Sequence, residues 1–238
     1  MFEPIVIAPS ILSADFMDLG RDVAVLEEGG AGLIHVDVMD GHFVPNLSMG
    51  VPVVKALKRR TRVPLDVHLM IDNPARELPW FIDAGADMLT VHAEVLYGDE
   101  LASCVESIHE AGVRACVALK PRTAVEVLAP VIGMLDMVLV MSVEPGFSGQ
   151  SYIAGSEQRV AAVAAMARQA GAAPLIQVDG GIGLQTAPLV AAAGADVLVC
   201  GNAVCAQDDP AAAMARIAAA ADRAREAALR GCPEGGAR

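Results

Sequence analysis

Eight short runs of β-branched and apolar residues, each followed by helix-compatible sequence, constrain this chain more than any other feature. They span residues 5–10, 33–38, 65–70, 88–92, 114–119, 137–141, 175–179 and 197–200. Each has the length of a strand buried on both faces. The joints repeat: Ala84-Gly85-Ala86-Asp87 and Ala193-Gly194-Ala195-Asp196 both set a glycine after a helix and just before a strand. A residue that ends a helix often needs a left-handed backbone, which suits glycine. Eight βα units in 238 residues, without a low-complexity linker, predict a closed (β/α)8 barrel. A doubly wound open sheet would use fewer strands. The hydrophobic content of 54% with only 3% aromatic residues supplies the Val, Leu, Ile and Ala of a buried parallel sheet. The expectation is one barrel domain over residues 1–230. An Ala- and Arg-rich helix from Pro210 to about Leu229 closes it, and a disordered tail follows over 231–238.

Composition removes several classes of function. A formal net charge of −12 argues against nucleic acid or an anionic membrane as partner. It also means that a phosphate substrate must be held by local dipoles against the overall field. No apolar stretch approaches the ~20 residues of a membrane span. The acidic start Met1-Phe2-Glu3-Pro4 lacks the basic region of a signal peptide. Five cysteines, odd in number and without metal-type spacing, fit the reduced thiols of a cytoplasmic protein.

In a barrel of this kind the reacting groups sit at the C-terminal ends of the strands, and polar residues collect there. The second run ends His35-Val36-Asp37-Val38-Met39-Asp40, the third Asp66-Val67-His68-Leu69-Met70, the seventh Gln177-Val178-Asp179. Side chains alternate along a strand, so His35, Asp37 and Met39 share one face, as do Asp66, His68 and Met70. If those faces point inward, His35, Asp37, His68 and Asp179 converge near the barrel mouth. One histidine at a strand end is ordinarily a hydrogen-bonded structural residue. Two histidines and two aspartates on apolar strands are costly unless they are paired or bind a metal. The set suits one divalent ion, zinc, ferrous iron, manganese or cobalt, and does not choose among them. Asp66, deeper along its strand, is expected to orient a ligand.

Loops after strands 7 and 8 often bind phosphate in barrel enzymes. Here they contain Gly180-Gly181-Ile182-Gly183 and Gly201-Asn202-Ala203. Glycines let backbone N–H groups approach an anion. The segment from Glu144 to Gln150 combines Gly146, Ser148 and Gly149 with Phe147 and reads as a closing lid. Met39, Met70 and Met141 all end strands and suit an apolar cap over the reacting atoms. His42 and His92 are assigned structural or ligand-supporting roles, and His109 a solvated helical position.

These patterns resemble the ribulose-phosphate 3-epimerase family. The match runs through Ala8-Pro9-Ser10-Ile11-Leu12, the stretch from His35 to Asn46, Asp66-Val67-His68-Leu69-Met70, the stretch from Val143 to Gln150, Val178-Asp179-Gly180-Gly181-Ile182 and Gly201-Asn202-Ala203. The resemblance therefore covers nearly the whole chain. It implies a TIM barrel of the ribulose-phosphate-binding type and a homo-oligomer, dimer or hexamer. It implies that His35, Asp37, His68 and Asp179 bind one divalent metal, and that Asp37 and Asp179 are the acid–base pair. Ser10 and His68 would contact the ketose phosphate, which the lid and the glycine loops would enclose.

A 3-epimerase removes the proton on carbon 3, beside a ketone, and returns one from the opposite face. Two opposed carboxylates match that task, and a metal touching the oxygens on carbons 2 and 3 would stabilise the enediolate that forms. The sequence departs from the family pattern at Asn202 and Ser148, and the stretch Glu94 to Asp99 is less typical and bears on which sugar fits. The alternatives are a 3-epimerase of a six-carbon ketose phosphate such as D-allulose 6-phosphate, and a catalytically silent sugar-phosphate binding protein. Decarboxylation or aldol cleavage would call for a lysine near the chemistry. Lys120 alone is so placed, without an Asp-x-Lys-x-x-Asp motif.

Overall fold

In the computed structural model, which describes residues 4–231, the strands follow the predicted runs closely. They are β1 (Val6–Pro9), β2 (Ile34–Met39), β3 (Leu65–Met70), β4 (Met88–His92), β5 (Arg114–Leu119), β6 (Met137–Met141), β7 (Leu175–Asp179) and β8 (Val197–Cys200). Only β1, one residue shorter at each end, and β2, shifted by one, depart from expectation. All neighbouring strands pair in parallel, in the order β1-β8-β7-β6-β5-β4-β3-β2. A parallel bridge between Ser10 and His35 joins β1 to β2 and brings the ends of the sheet together.

The helices are α1 (Leu19–Glu28), α2 (Val51–Lys58), α3 (Pro74–Ala84), α4 (Glu100–Glu110), α5 (Ser156–Gln169), α6 (Ala187–Ala193), the short α7 (Asn202–Cys205) and α8 (Pro210–Gly231). As predicted from the joints, Gly85 and Gly194 close α3 and α6 in the left-handed conformation. The connection from β5 to β6 differs from expectation. It holds only two 3-10 turns, Val125–Leu128 and Ile132–Met134. Pro130 lacks the N–H that a continuing helix would need, and its ring would collide with the carbonyl one turn earlier. The closing helix runs on to Gly231, so the predicted tail loses that residue. The rest of it, including Cys232, lies outside the described residues.

Alternation along the strands divides the core in two. Val36, Val38, Val67 and Leu69 face outward and join the helix residues Val54, Leu57, Leu78 and Phe81 in one continuous apolar layer. Burying each such side chain contributes roughly 1.5–3 kcal/mol. Inside the barrel, Ala8, Leu33, Met88, Cys116, Met137, Val197 and Val199 form a separate apolar plug. Polar side chains occupy the interior at the opposite end, and that end carries the site.

Candidate active site

Strand register places the polar residues in pairs: His35 stands beside Asp66, and Asp37 beside His68. His35, Asp66 and His68 are fully buried, and Asp37 nearly so. Asp66 Oδ2 accepts hydrogen bonds from His35 Nδ1 at 2.7 Å and from Gln177 Nε2 at 2.6 Å. The proton of the His35 ring is thereby directed to Nδ1. Its Nε2 is buried without a hydrogen bond and lies 3.3 Å from Asp37 Oδ1. His68 Nδ1 approaches the same oxygen at 3.2 Å, while Ser10 Oγ donates to Asp37 Oδ2 at 2.6 Å.

An orphaned buried nitrogen beside a carboxylate is costly unless a cation fills the gap. His35, Asp37, His68 and Asp179 each offer one ligand atom within 4.8 Å of the others and could hold a metal ion. This donor set of nitrogens and carboxylate oxygens suits a divalent ion. A proton is the substitute when no ion is bound. Burial lowers the affinity of His35 for a proton, but the charges of Asp37 and Asp66 overcome this and raise its pKa well above the ordinary histidine value.

The two aspartates are driven apart. Burial pushes the Asp37 carboxyl upward, yet the charge of His35, with His68 beside it, outweighs this and holds the group well below the usual carboxylate range. For Asp179 burial dominates, reinforced by the charge of Asp37, and the pKa rises to about 6 despite the opposing histidines. Two titratable groups whose surroundings separate their proton affinities suit opposite roles in proton transfer.

Both aspartates line a cavity of about 300 Å³ at the C-terminal ends of the strands. Met39, Met70 and Met141 line it too, together with Ser10, Gly180, Gly181, Gly201 and Asn202. Gly181 has φ of 62°, and a Cβ there would lie 2.4 Å from the Tyr152 amide nitrogen, so the loop tolerates only glycine without rearranging. Gly146, Phe147, Ser148 and Gly149 form the remaining wall. Asn46 Nδ2 donates to Gly146 O at 2.8 Å, and the Ser13 and Ser148 hydroxyls meet at 2.6 Å, so the segment is latched from two sides. Phe147 remains 54% exposed.

Several expectations find a different outcome. His68 is buried behind the cavity wall and does not line it. No residue from Glu94 to Asp99 lines the cavity either, and Glu94 instead bonds His92, Lys120 and Thr123. His109 pairs with Asp136 at 2.9 Å. The sequence reading assigned no role to Gln177 or Ser13. Gln177 sits two residues before Asp179 on β7, so alternation alone could have placed it inside. The latch between Ser13 and Ser148 has no local signal. Cys104, Cys116, Cys200 and Cys205 are free thiols with burial raising every pKa, to about 11 for Cys104 and about 12 for Cys205. No helix among the described residues is long and apolar enough to cross a membrane.

An eight-stranded parallel barrel with two histidines and two aspartates gathered toward the C-terminal strand ends defines a TIM-barrel enzyme. Solved structures share the fold. A 3-hexulose-6-phosphate synthase from Salmonella typhimurium superposes with a TM-score of 0.65 at 20% identity, covering 92% of this chain and all of that one. A 3-keto-L-gulonate-6-phosphate decarboxylase from Vibrio cholerae gives 0.67 at 15% identity, covering 93% and 99%. At sequence level the chain belongs to the ribulose-phosphate 3-epimerase family, whose model matches residues 6–205. The ribulose-phosphate 3-epimerase of Bacillus subtilis is 49% identical over 212 residues, covering 89% of this chain and 97% of the relative. That of Treponema pallidum is 46% identical over 198 residues, covering 83% and 89%. The chloroplastic ribulose-5-phosphate-3-epimerase of Arabidopsis thaliana is 45% identical over 215 residues, covering 90% and 76%. The chain is thus an isomerase-class enzyme by family.

Proposed function

We propose that this protein is a metal-assisted 3-epimerase interconverting D-ribulose 5-phosphate and D-xylulose 5-phosphate. One observation carries the reading: Asp37 and Asp179 reach a single cavity from β2 and β7, with proton affinities displaced in opposite directions. The ionised Asp37 is poised to take the carbon 3 proton from one face of the substrate. Asp179, more readily protonated, is poised to return one to the other face of the enediolate. The roles exchange in the reverse direction, so each carboxylate changes state once per turnover. Ser10 keeps Asp37 oriented through its 2.6 Å hydrogen bond. A divalent ion held by His35, Asp37, His68 and Asp179 would supply electrostatic stabilisation of negative charge on the substrate oxygens.

Met39, Met70 and Met141 give the flat intermediate an apolar, polarisable surface and exclude water from it. The phosphate fits the loops at Gly180-Gly181 and Gly201-Asn202, beyond the carboxylates. Among the described residues the amides of Gly181, Ile182, Asn202 and Ala203 donate to no protein acceptor, and such free N–H groups suit an anion. Closure of Phe147 would complete the enclosure.

Two features count against the rivals. Lys120 does not line the cavity, and its ammonium lies over the Phe43 ring at 3.7 Å, which leaves lysine-dependent decarboxylation or aldol cleavage without its lysine. A silent binding protein would have no use for two opposed proton carriers. Parallel assays of the zinc- and iron-loaded protein with D-ribulose 5-phosphate and D-allulose 6-phosphate test the reading. It expects a kcat/KM higher by at least an order of magnitude for the five-carbon sugar. The opposite preference would move the substrate to the six-carbon ketose, and release of carbon dioxide or an aldehyde would refute epimerisation.

A further inference from the structure

Behind the cavity wall, His68 is held by a chain of contacts that the proton-transfer chemistry does not require. Its Nε2 lies 2.9 Å from His92 Nε2, and His92 Nδ1 lies 3.0 Å from Glu94 Oε2. Both imidazoles are fully buried, so water takes no part in the contact. Two ring nitrogens at this distance share one proton, and one must donate while the other accepts. Which does so is decided at the far end of the chain.

Glu94 Oε1 accepts from the Lys120 amide at 2.7 Å and from the Thr123 hydroxyl. The segment bearing those donors is tied down by Arg159, whose Nη2 donates to Lys120 O at 3.1 Å and Thr123 O at 2.7 Å. An ionised carboxylate fixed in this way only accepts. His92 Nδ1 therefore bears the hydrogen. A second proton on this ring is disfavoured by burial, and the Lys120 ammonium stands nearby over Phe43, whose ring is 4.6 Å from that of His92. A neutral His92 with its hydrogen on Nδ1 has a lone pair at Nε2, which can only accept from His68.

We propose that Glu94 and His92 are positioning residues that fix the hydrogen of His68 on Nε2, so that its Nδ1 lone pair is aimed at the metal position beside Asp37. The direction of every bond then follows from one carboxylate that lines no part of the cavity. His68 Nδ1 and His35 Nε2 lie 3.2 and 3.3 Å from Asp37 Oδ1, and once a metal displaces the second proton of His35 both nitrogens present lone pairs to the gap that the cation fills. The consequence for metal affinity rests on the epimerase reading, whereas the hydrogen-bond direction does not.

Long-range 1H–15N correlation spectra of the histidine rings, recorded on wild type and Glu94→Gln before and after addition of Zn2+, test this. Wild type is expected to show hydrogens on His92 Nδ1 and His68 Nε2, with scalar coupling between the two Nε2 nuclei across the hydrogen bond. In Glu94→Gln the Lys120 and Thr123 donors retain the amide oxygen, and the amide NH2 turns to His92 Nδ1. The chain then reverses, the shared hydrogen moves to His92 Nε2, and Zn2+ affinity falls about 10–100-fold while far-UV circular dichroism is unchanged. A hydrogen on His92 Nε2 in the wild type overturns the proposal, whether or not the variant folds. So does a folded Glu94→Gln protein that keeps wild-type tautomers and affinity. If Zn2+ moves no His35 or His68 resonance, the metal reading fails, and the tautomers of the metal-free protein still decide the proposal.

Discussion

Asp66 Oδ2 accepts the Nδ1 hydrogen of His35 at 2.7 Å, which turns the other ring nitrogen, without a hydrogen bond of its own, toward Asp37. A carboxylate deep in the barrel thus sets the direction of the histidine ring that faces Asp37. Substituting Asp66→Asn weakens that acceptor while keeping the shape. Metal affinity, read by calorimetric Zn2+ titration, is expected to fall about 10–100-fold with the strands intact. Wild-type affinity in the variant would show that Asp66 is merely core filling.

The same hydrogen bond links metal binding to protons. His35 holds a proton well above the ordinary histidine pKa in the metal-free protein, and a metal must displace it. Zn2+ affinity should therefore rise with pH through neutrality. Proton release on binding should appear as a dependence of the measured heat on the ionisation enthalpy of the buffer. A pH-independent affinity across pH 6–8, tested in about half-unit steps, contradicts this account.

Asp179 makes a stability prediction of definite sign. Its folded pKa, about 6, lies above that of an unfolded carboxyl, so the folded state binds the proton more tightly. That contribution to stability is fully present below the unfolded value and is lost as pH rises through about 6. In the presence of a chelator, Asp179→Asn should melt higher than wild type at alkaline pH, with the gap closing in acid. Equal melting temperatures at both extremes would contradict a raised carboxyl.

Gly181→Ala tests the proposed phosphate-binding role of the loop after β7. The added Cβ meets the Tyr152 backbone nitrogen at 2.4 Å from a left-handed conformation. The expected cost is on the order of 1–3 kcal/mol of stability. Binding of the substrate phosphate should weaken as well, read as a raised KM against a smaller change in kcat. An unaltered melting temperature and KM would show that the loop has room to shift.

The barrel and its donor cluster were legible because two periodicities coincide. Alternation placed His35, Asp37, His68 and Asp179 on inward faces, and the repeated glycine joints before β4 and β8 marked the βα unit. The connection between β5 and β6 was misread because helix-compatible composition conceals the single backbone effect of Pro130. Glu94 looked like part of a specificity loop, since nothing near it in sequence reveals that Lys120 and Thr123 supply its donors. Gln177 and Ser13 have no chemistry particular to their residue type. Their roles arise from strand and loop neighbours 111 and 135 positions away.

The central claim is that Asp37 and Asp179 move the carbon 3 proton from opposite faces. The most direct test incubates metal-loaded protein with D-ribulose 5-phosphate in heavy water and follows carbon 3 by NMR. Wild type should yield D-xylulose 5-phosphate carrying deuterium at that carbon. Asp37→Asn and Asp179→Asn, folded and metal-loaded, should each lose roughly 10²–10⁴ in rate. Near-normal turnover by either folded variant, or product without deuterium under conditions of full solvent exchange, would contradict the two-carboxylate account.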